Sequence, residues 1–376
     1  MREPNLWEQQ CPECLLYDQC GGAATAPCTC IKSGEERYDC GNCDIVCRER
    51  YVPTSDGLDD TFSSHAFVGR NLESVEIDQH FSSPFPLLIP TQTNKLPSNI
   101  HLPYDWIGVD LRHLLDSTVP PVRAHSRYNS AGKALKFVRG HSNSKLLAIL
   151  NSVDGDLEHF WASERSSFYE ALLQSGFAAA TGPTFSIYEK TNSGAKRIPD
   201  AHSVTMLRRH HRVVEELAQI GVPPIPNLYD RNERDRQRWV KWLSTNQTVT
   251  VVSCDLTCSK NWEPYREYMH RLIEIVGEVD RSLHVLLQGV GTAKSTDALV
   301  QLAEAGCTCS ICTSDPILKG SNGYALIYQD DGEPPIFEKQ KDQPHSVLSR
   351  RNIDVLDSHL LDSHLTAVAS GFSIYS

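Results

Sequence analysis

Eight short apolar runs punctuate the chain between residues 85 and 314, and most of the segments between them carry helical periodicity. The runs are FPLLIP, WIGVDL, KLLAIL, FAAATG, VPPIPNLY, TVTVVSCD, LHVLLQGV and TCSICTS. Each is too short for a buried helix and rich enough in β-branched and aliphatic residues to be a strand. Asp154 to Gly176 reads as one helix, with Leu157, Phe160, Trp161, Phe168 and Leu172 at helical spacing. Ala201 to Ile220 is a second, stopped by Gly221 and Pro223, and Arg234–Leu243, Glu263–Val276 and Ser295–Ala305 follow. Strands separated by helices pair in parallel, because a parallel neighbour requires a long crossover. Six to eight such units over residues 85–376 fit a (β/α)8 TIM-like barrel; an open doubly wound sheet is the competing α/β arrangement.

In either case the chemistry belongs where strands end and loops begin. Those positions hold Asp110 and Arg112, Asn151, Gly182 and Pro183, Asn227, Tyr229 and Asp230, Asp255, Gln288, and Ser314 with Asp315. Polar residues closing apolar strands suit a ligand site. Asp and Asn at these places also suit capping of the helices that follow.

Ahead of this domain, residues 1–60 form a segment of a different kind. Of 13 cysteines, eight lie here: Cys11, Cys14, Cys20, Cys28, Cys30, Cys40, Cys43 and Cys47. The opening residues, MREPNLWEQQCPEC, contain no apolar signal sequence, and no apolar run reaches the roughly 20 residues that span a bilayer. A cytoplasmic location with no membrane partner is the expectation, and in a reducing compartment such cysteine density points to metal. Two CxxC pairs place thiolates in tight turns, so eight sulfurs make two zinc sites or an iron–sulfur cluster with cysteines to spare. Histidine first occurs at His65, which removes a local finger with two cysteines and two histidines. The run CPECLLYDQCGG resembles the segment that holds auxiliary iron–sulfur clusters in SPASM-type radical enzymes. The CxxxCxxC core of those enzymes is absent, and CGNCDIVC carries its spacings reversed.

A net charge of −11 opposes loose coating of phosphate backbones, which depends on Lys and Arg. Local positive charge occurs in LRRHHR, where Arg208, Arg209 and Arg212 read as a solvated helix face. GVGTAKST lacks both the Gly-Lys pair of a phosphate loop and the third glycine of a dinucleotide fingerprint. In VSCDLTC, Cys254 and Cys258 flank Asp255 at a spacing open to a ligand or redox pair and equally to core packing.

Residues 288–332, QGVGTAKSTDALVQLAEAGCTCSICTSDPILKGSNGYALIYQDDG, resemble the end of the barrel in tRNA-guanine transglycosylases. Gly289, Gly291 and Thr292 match that family's GVGT turn, Asn322 and Gly323 its asparagine–glycine pair, and Tyr328 to Gly332 its short hairpin. The resemblance implies exchange of a guanine or 7-deazaguanine-type base at a glycosidic carbon, through an aspartate nucleophile with a second carboxylate nearby. The acceptor would be nucleic acid or a protein. Aligned from Asn322 without a gap, the nucleophile position falls on Cys312, three residues before Asp315. The carboxylate candidates are therefore Asp315, Asp255 and Asp110, with Asn227, Asp230, Gln288, Gly289, Gly291 and Asn322 around a purine-like ligand. Cys307, Cys309 and Cys312, with His345 downstream, repeat the spacing of the family's zinc motif, but on a strand their side chains fall on opposite faces. A fainter resemblance, through PTFSIY and IPNLYD, is to an uncharacterised family of phage and bacterial proteins. The alternatives to a transglycosylase are a metal-stabilised binding protein of a phage or defence system, and an iron–sulfur redox enzyme.

Overall fold

The computed structural model describes residues 69–81, 83–92, 101–116, 123–187, 200–259, 261–329 and 335–369. The eight N-terminal cysteines proposed as metal ligands lie outside the described residues. The chain divides into two compact units, one of Met1–Val75 with Phe185–Arg212 and one of Glu76–Thr184 with Val213–Ser376.

The larger unit is α/β with parallel sheets. Its strands are β1 (Leu88–Pro90), β2 (Trp106–Asp110), β3 (Lys145–Ile149), β4 (Phe177–Thr181), β5 (Pro224–Ile225), β6 (Val251–Asp255), β7 (His284–Gln288) and β8 (Thr308–Thr313). Each lies within one of the eight apolar runs. Helices α1 (Leu111–Leu114), α2 (Ala131–Val138), α3 (Asp154–Ala162), α4 (Ser166–Gln174), α5 (Asp200–Ile220), α6 (Glu233–Thr245), α7 (Trp262–Gly277) and α8 (Thr292–Glu304) alternate with them. After β8 come α9 (Asp315–Ser321), an antiparallel hairpin β9 (Tyr324–Ile327) and β10 (Ile336–Lys339), and α10 (His345–Ala369).

Two four-stranded parallel sheets have the orders β1-β8-β7-β6 and β2-β3-β4-β5. In register, Asp110 lies beside Ile149, Asp255 beside Gln288, and Gln288 beside Cys312. Isolated parallel bridges join the sheets at both margins, Thr91 to Gly108 and Asn227 to Ser253. The backbone N–H of Gln92 donates to Gly108 O at 2.8 Å, and that of Leu228 to Ser253 O at 2.7 Å. Ile89, Trp106, Leu147, Ala179, Ile225, Val251, Leu286 and Cys312 form one buried cluster drawn from all eight strands. Beneath it, the half-buried His284 stacks on Phe85 and bonds the hydroxyls of Thr308 and Ser310 at 2.8 and 2.9 Å.

Two readings of local sequence are corrected. Asp154 to Gly176 is not one helix: Ser163 is extended at φ −90° and ψ 155°, and the Glu164 carboxylate accepts from the Ser166 N–H at 2.9 Å to start α4 afresh. A side chain that satisfies a first-turn amide competes with continuation of the preceding helix. The LRRHHR stretch is not a solvated face, since Arg209, His210 and His211 are buried. In the smaller unit, residues 69–71 run across it: the Arg70 N–H donates to Arg208 O at 3.0 Å, and Arg70 O meets His211 Nδ1 at 2.9 Å.

Helices α9 and α10 cross closely, with Gly320 against the backbone of Ser349, where a Cβ would overlap the Ser349 nitrogen and Cα. Because the obstacle is main chain, relief requires the helices to separate. Gly320→Ala is expected to cost about 1–3 kcal/mol in urea unfolding, and an unchanged midpoint would refute that contact. No helix among the described residues is long and apolar enough to cross a membrane.

Candidate functional site

The polar residues that end the parallel strands assemble into two connected groups. The first is a circuit of carboxamides. The backbone N–H of Thr184, after β4, donates to Asn151 Oδ1 at 2.7 Å. Asn151 Nδ2, after β3, donates to Gln288 Oε1 on β7 at 2.6 Å. Gln288 Nε2 donates to Asn227 Oδ1, after β5, at 3.4 Å, and Asn227 Nδ2 returns to Gly182 O at the end of β4. The Ser253 hydroxyl also bonds Asn227 Oδ1. The Asn151–Gln288 contact joins the two sheets through side chains. Asn227 and Gln288 are almost completely buried, so this mutual satisfaction is what allows neutral amides to occupy the site.

The second group is acidic. Asp110 ends β2 and Asp255 ends β6, both half-buried. Burial first, and the charge of Asp255 second, push the Asp110 carboxyl up to about 7. Asp255 is itself raised by burial, opposed by the hydroxyl and N–H of Thr257 on its Oδ1, the latter at 2.9 Å. Two carboxylates that feel one another in a poorly hydrated site favour holding one proton between them. Cys312 lies in the core cluster, and burial followed by the Asp110 charge keeps its thiol protonated. The position that aligns with the transglycosylase nucleophile is thus a buried thiol.

The remaining predicted residues have other local partners. Asp315 starts α9 and accepts from the Thr292 N–H at 3.4 Å, placing its carboxylate on the amide end of α8. Asp230 is buried in an ion pair with Arg236 at 2.9 Å, and Arg236 also meets Glu274 at 3.0 Å. Gly289 has φ +70°, and a Cβ there would lie within 2.5 Å of the Thr257 nitrogen and Cα. Gly291 precedes α8, with Asp315 Oδ2 3.4 Å from where its Cβ would be. Asn322 caps α9 and accepts from Lys339 Nζ at 2.6 Å. Cys307 and Cys309 are buried, and among the described residues no group of three metal-ligating side chains occurs.

Sequence reading did not assign roles to Thr257, Ser253, Thr184 or Thr91. The Asp-x-Thr spacing at 255–257 was the available signal for Thr257, since a threonine two residues on can return both N–H and hydroxyl to the aspartate. The buried hydroxyls of Thr91 and Thr184 have no hydrogen-bond partner among the described residues. An acidic pair of this kind can hold a proton and pass it to or from a bound group.

No family model matches the chain, and no curated protein matches it significantly.

Proposed function

We propose that this protein is a transglycosylase-like enzyme acting on a guanine or 7-deazaguanine-type base, carried by a nucleic acid or another acceptor, on a (β/α)8 barrel. The two sheet-joining bridges support closure of the eight parallel strands. The observation that carries the functional reading is the coupled pair of carboxylates at the strand ends, with Asp110 titrating near neutrality. Asp255 is the nucleophile: its free oxygen bonds to the anomeric carbon as the glycosidic C–N bond breaks, and the electron pair leaves with the base. Asp110 gives its proton to that base nitrogen. An incoming base then returns a proton to Asp110 and attacks the anomeric carbon, which releases the Asp255 carboxylate. Asp315 remains the third carboxylate candidate, at the amide end of α8. Asn151, Gln288 and Asn227 fix the strand ends beneath the heterocycle through their mutual hydrogen bonds, with Gly289, Gly291, Asp230 and Asn322 shaping the loops around it.

The eight N-terminal cysteines supply donors suited to zinc or an iron–sulfur cluster, and we assign the head a metal-holding role. Elemental analysis of anaerobically purified protein distinguishes them. Zinc without colour makes the head structural, whereas iron with sulfide favours the redox alternative.

The deciding experiment is incorporation of radiolabelled guanine or 7-deazaguanine into transfer RNA and duplex DNA. Wild-type protein is expected to incorporate label, and Asp255→Asn to lose about 10²–10⁴-fold in rate. Base binding by calorimetry without exchange would support the second reading, a binding protein that has replaced its nucleophile by Cys312. Neither binding nor exchange would refute both.

A further inference from the structure

The loop after β6 is fastened to its neighbours by more contacts than a connecting loop needs. The backbone N–H of Leu256 donates to Gln288 O at 2.8 Å. Lys294 Nζ, from α8, donates to Ser259 O at 2.6 Å and Asn261 O at 3.0 Å. Thr257 sits against Gly289, whose positive φ and missing side chain provide the space it occupies. These contacts fasten the loop that carries Thr257. Thr257 gives Asp255 Oδ1 both its backbone N–H and its hydroxyl, while Oδ2 has no hydrogen-bond partner among the described residues.

We propose that Thr257 is a positioning residue for Asp255: it engages Oδ1 with two donors, so that Oδ2 is the oxygen offered to a ligand. Gly289 acts in this arrangement through Thr257 and not through contact with a base. A carboxylate free to rotate about its Cβ–Cγ bond presents two equivalent oxygens and loses orientation; one held by two donors presents a single oxygen already aligned. The same donors favour the ionised form, and so oppose the burial that disfavours it. The titratable groups that bear on this carboxyl are Asp110, across the strand ends, and Cys254 beside it, with Asp230 acting on Cys254 in turn.

The geometric claim stands apart from the proposed reaction; only its kinetic consequence rests on that reading. The test is carbon-detected NMR titration of the Asp255 carboxyl in the full chain, together with the Thr257 amide proton. In the wild type the Thr257 amide proton is expected to follow the Asp255 titration, as a donor to that carboxylate must. In Thr257→Val, which keeps the N–H and loses the hydroxyl, the Asp255 midpoint is expected to rise by about one unit. Thr257→Ser, which keeps both donors, is expected to restore it. A Thr257 amide indifferent to the titration overturns the proposal even if the valine variant fails to fold, and so does a valine variant that titrates like the wild type. Where base exchange is present, Thr257→Val is expected to lower kcat about tenfold with KM unchanged. Absence of exchange in the wild type would refute the proposed function and leave the NMR result standing.

Discussion

Replacing Asp110 by asparagine is expected to stabilise the protein at pH 8 by about 3–4 kcal/mol and to leave it unchanged at pH 4. The carboxyl is raised from 3.8 to about 7 by burial and by Asp255. Between those values the folded protein keeps a proton that the unfolded chain has released, so stability falls as pH rises and levels off above about 7. Asp255, also raised by burial, contributes with the same sign. His284 works in the opposite sense. Burial lowers its imidazole from 6.5 to about 4, so the unfolded chain takes up a proton first and stability falls as pH drops through that window. His284→Gln is therefore expected to gain about 3 kcal/mol on the wild type at pH 4 and nothing at pH 7. The two effects offset one another in the wild type, and each substitution exposes the other. Urea unfolding of both variants from pH 4 to 8 is the measurement; a difference from wild type that does not change with pH would sink the assignment.

Glu216→Ala is expected to cost about 1–3 kcal/mol, because it strips a partly buried arginine of its two hydrogen bonds to a carboxylate. Arg165 meets Glu216 through Nε and Nη2, both at 2.9 Å, and Tyr169 adds its hydroxyl at 3.0 Å. Arg165 also donates to Trp161 O at 2.6 Å and lies over the Trp161 ring at 4.5 Å. This knot ties α3 and α4 to the second half of α5. Removing Arg165 as well is expected to recover part of the loss in a double-mutant cycle, because the residual charge goes with it. A loss below 1 kcal/mol for Glu216→Ala would place the pair among solvent-screened surface contacts.

The eight strands were legible because each is specified locally, by a short apolar run bounded by turn or helix signals. Asp110, Asp255, Asn227 and Gln288 were legible as strand ends for the same reason. Their roles were not, because the Asn151–Gln288 and Gln288–Asn227 bonds join residues 137 and 61 positions apart, a matter of tertiary register. The LRRHHR stretch was misread because local polarity gives no warning that Arg209, His210 and His211 are buried in the folded chain. The break at Ser163 was missed because helical spacing of apolar residues continues straight through it. The transglycosylase resemblance indicated that a carboxylate pair should be sought, but its ungapped alignment led to Cys312, inside the core.

The amide circuit of Asn151, Gln288 and Asn227 bears on how this protein can change over generations. Each of these side chains accepts through its oxygen and donates through its nitrogen to a different neighbour. Asparagine to aspartate keeps the shape but turns a donor into an acceptor, and leucine removes both. Saturation mutagenesis one position at a time will therefore score all three as intolerant, while combined libraries at 151, 227 and 288 should recover working triplets that still accept from the Thr184 N–H at one end and donate to Gly182 O at the other. Lineages that acquire a new ligand are expected to cross by simultaneous replacement, leaving few single-step intermediates.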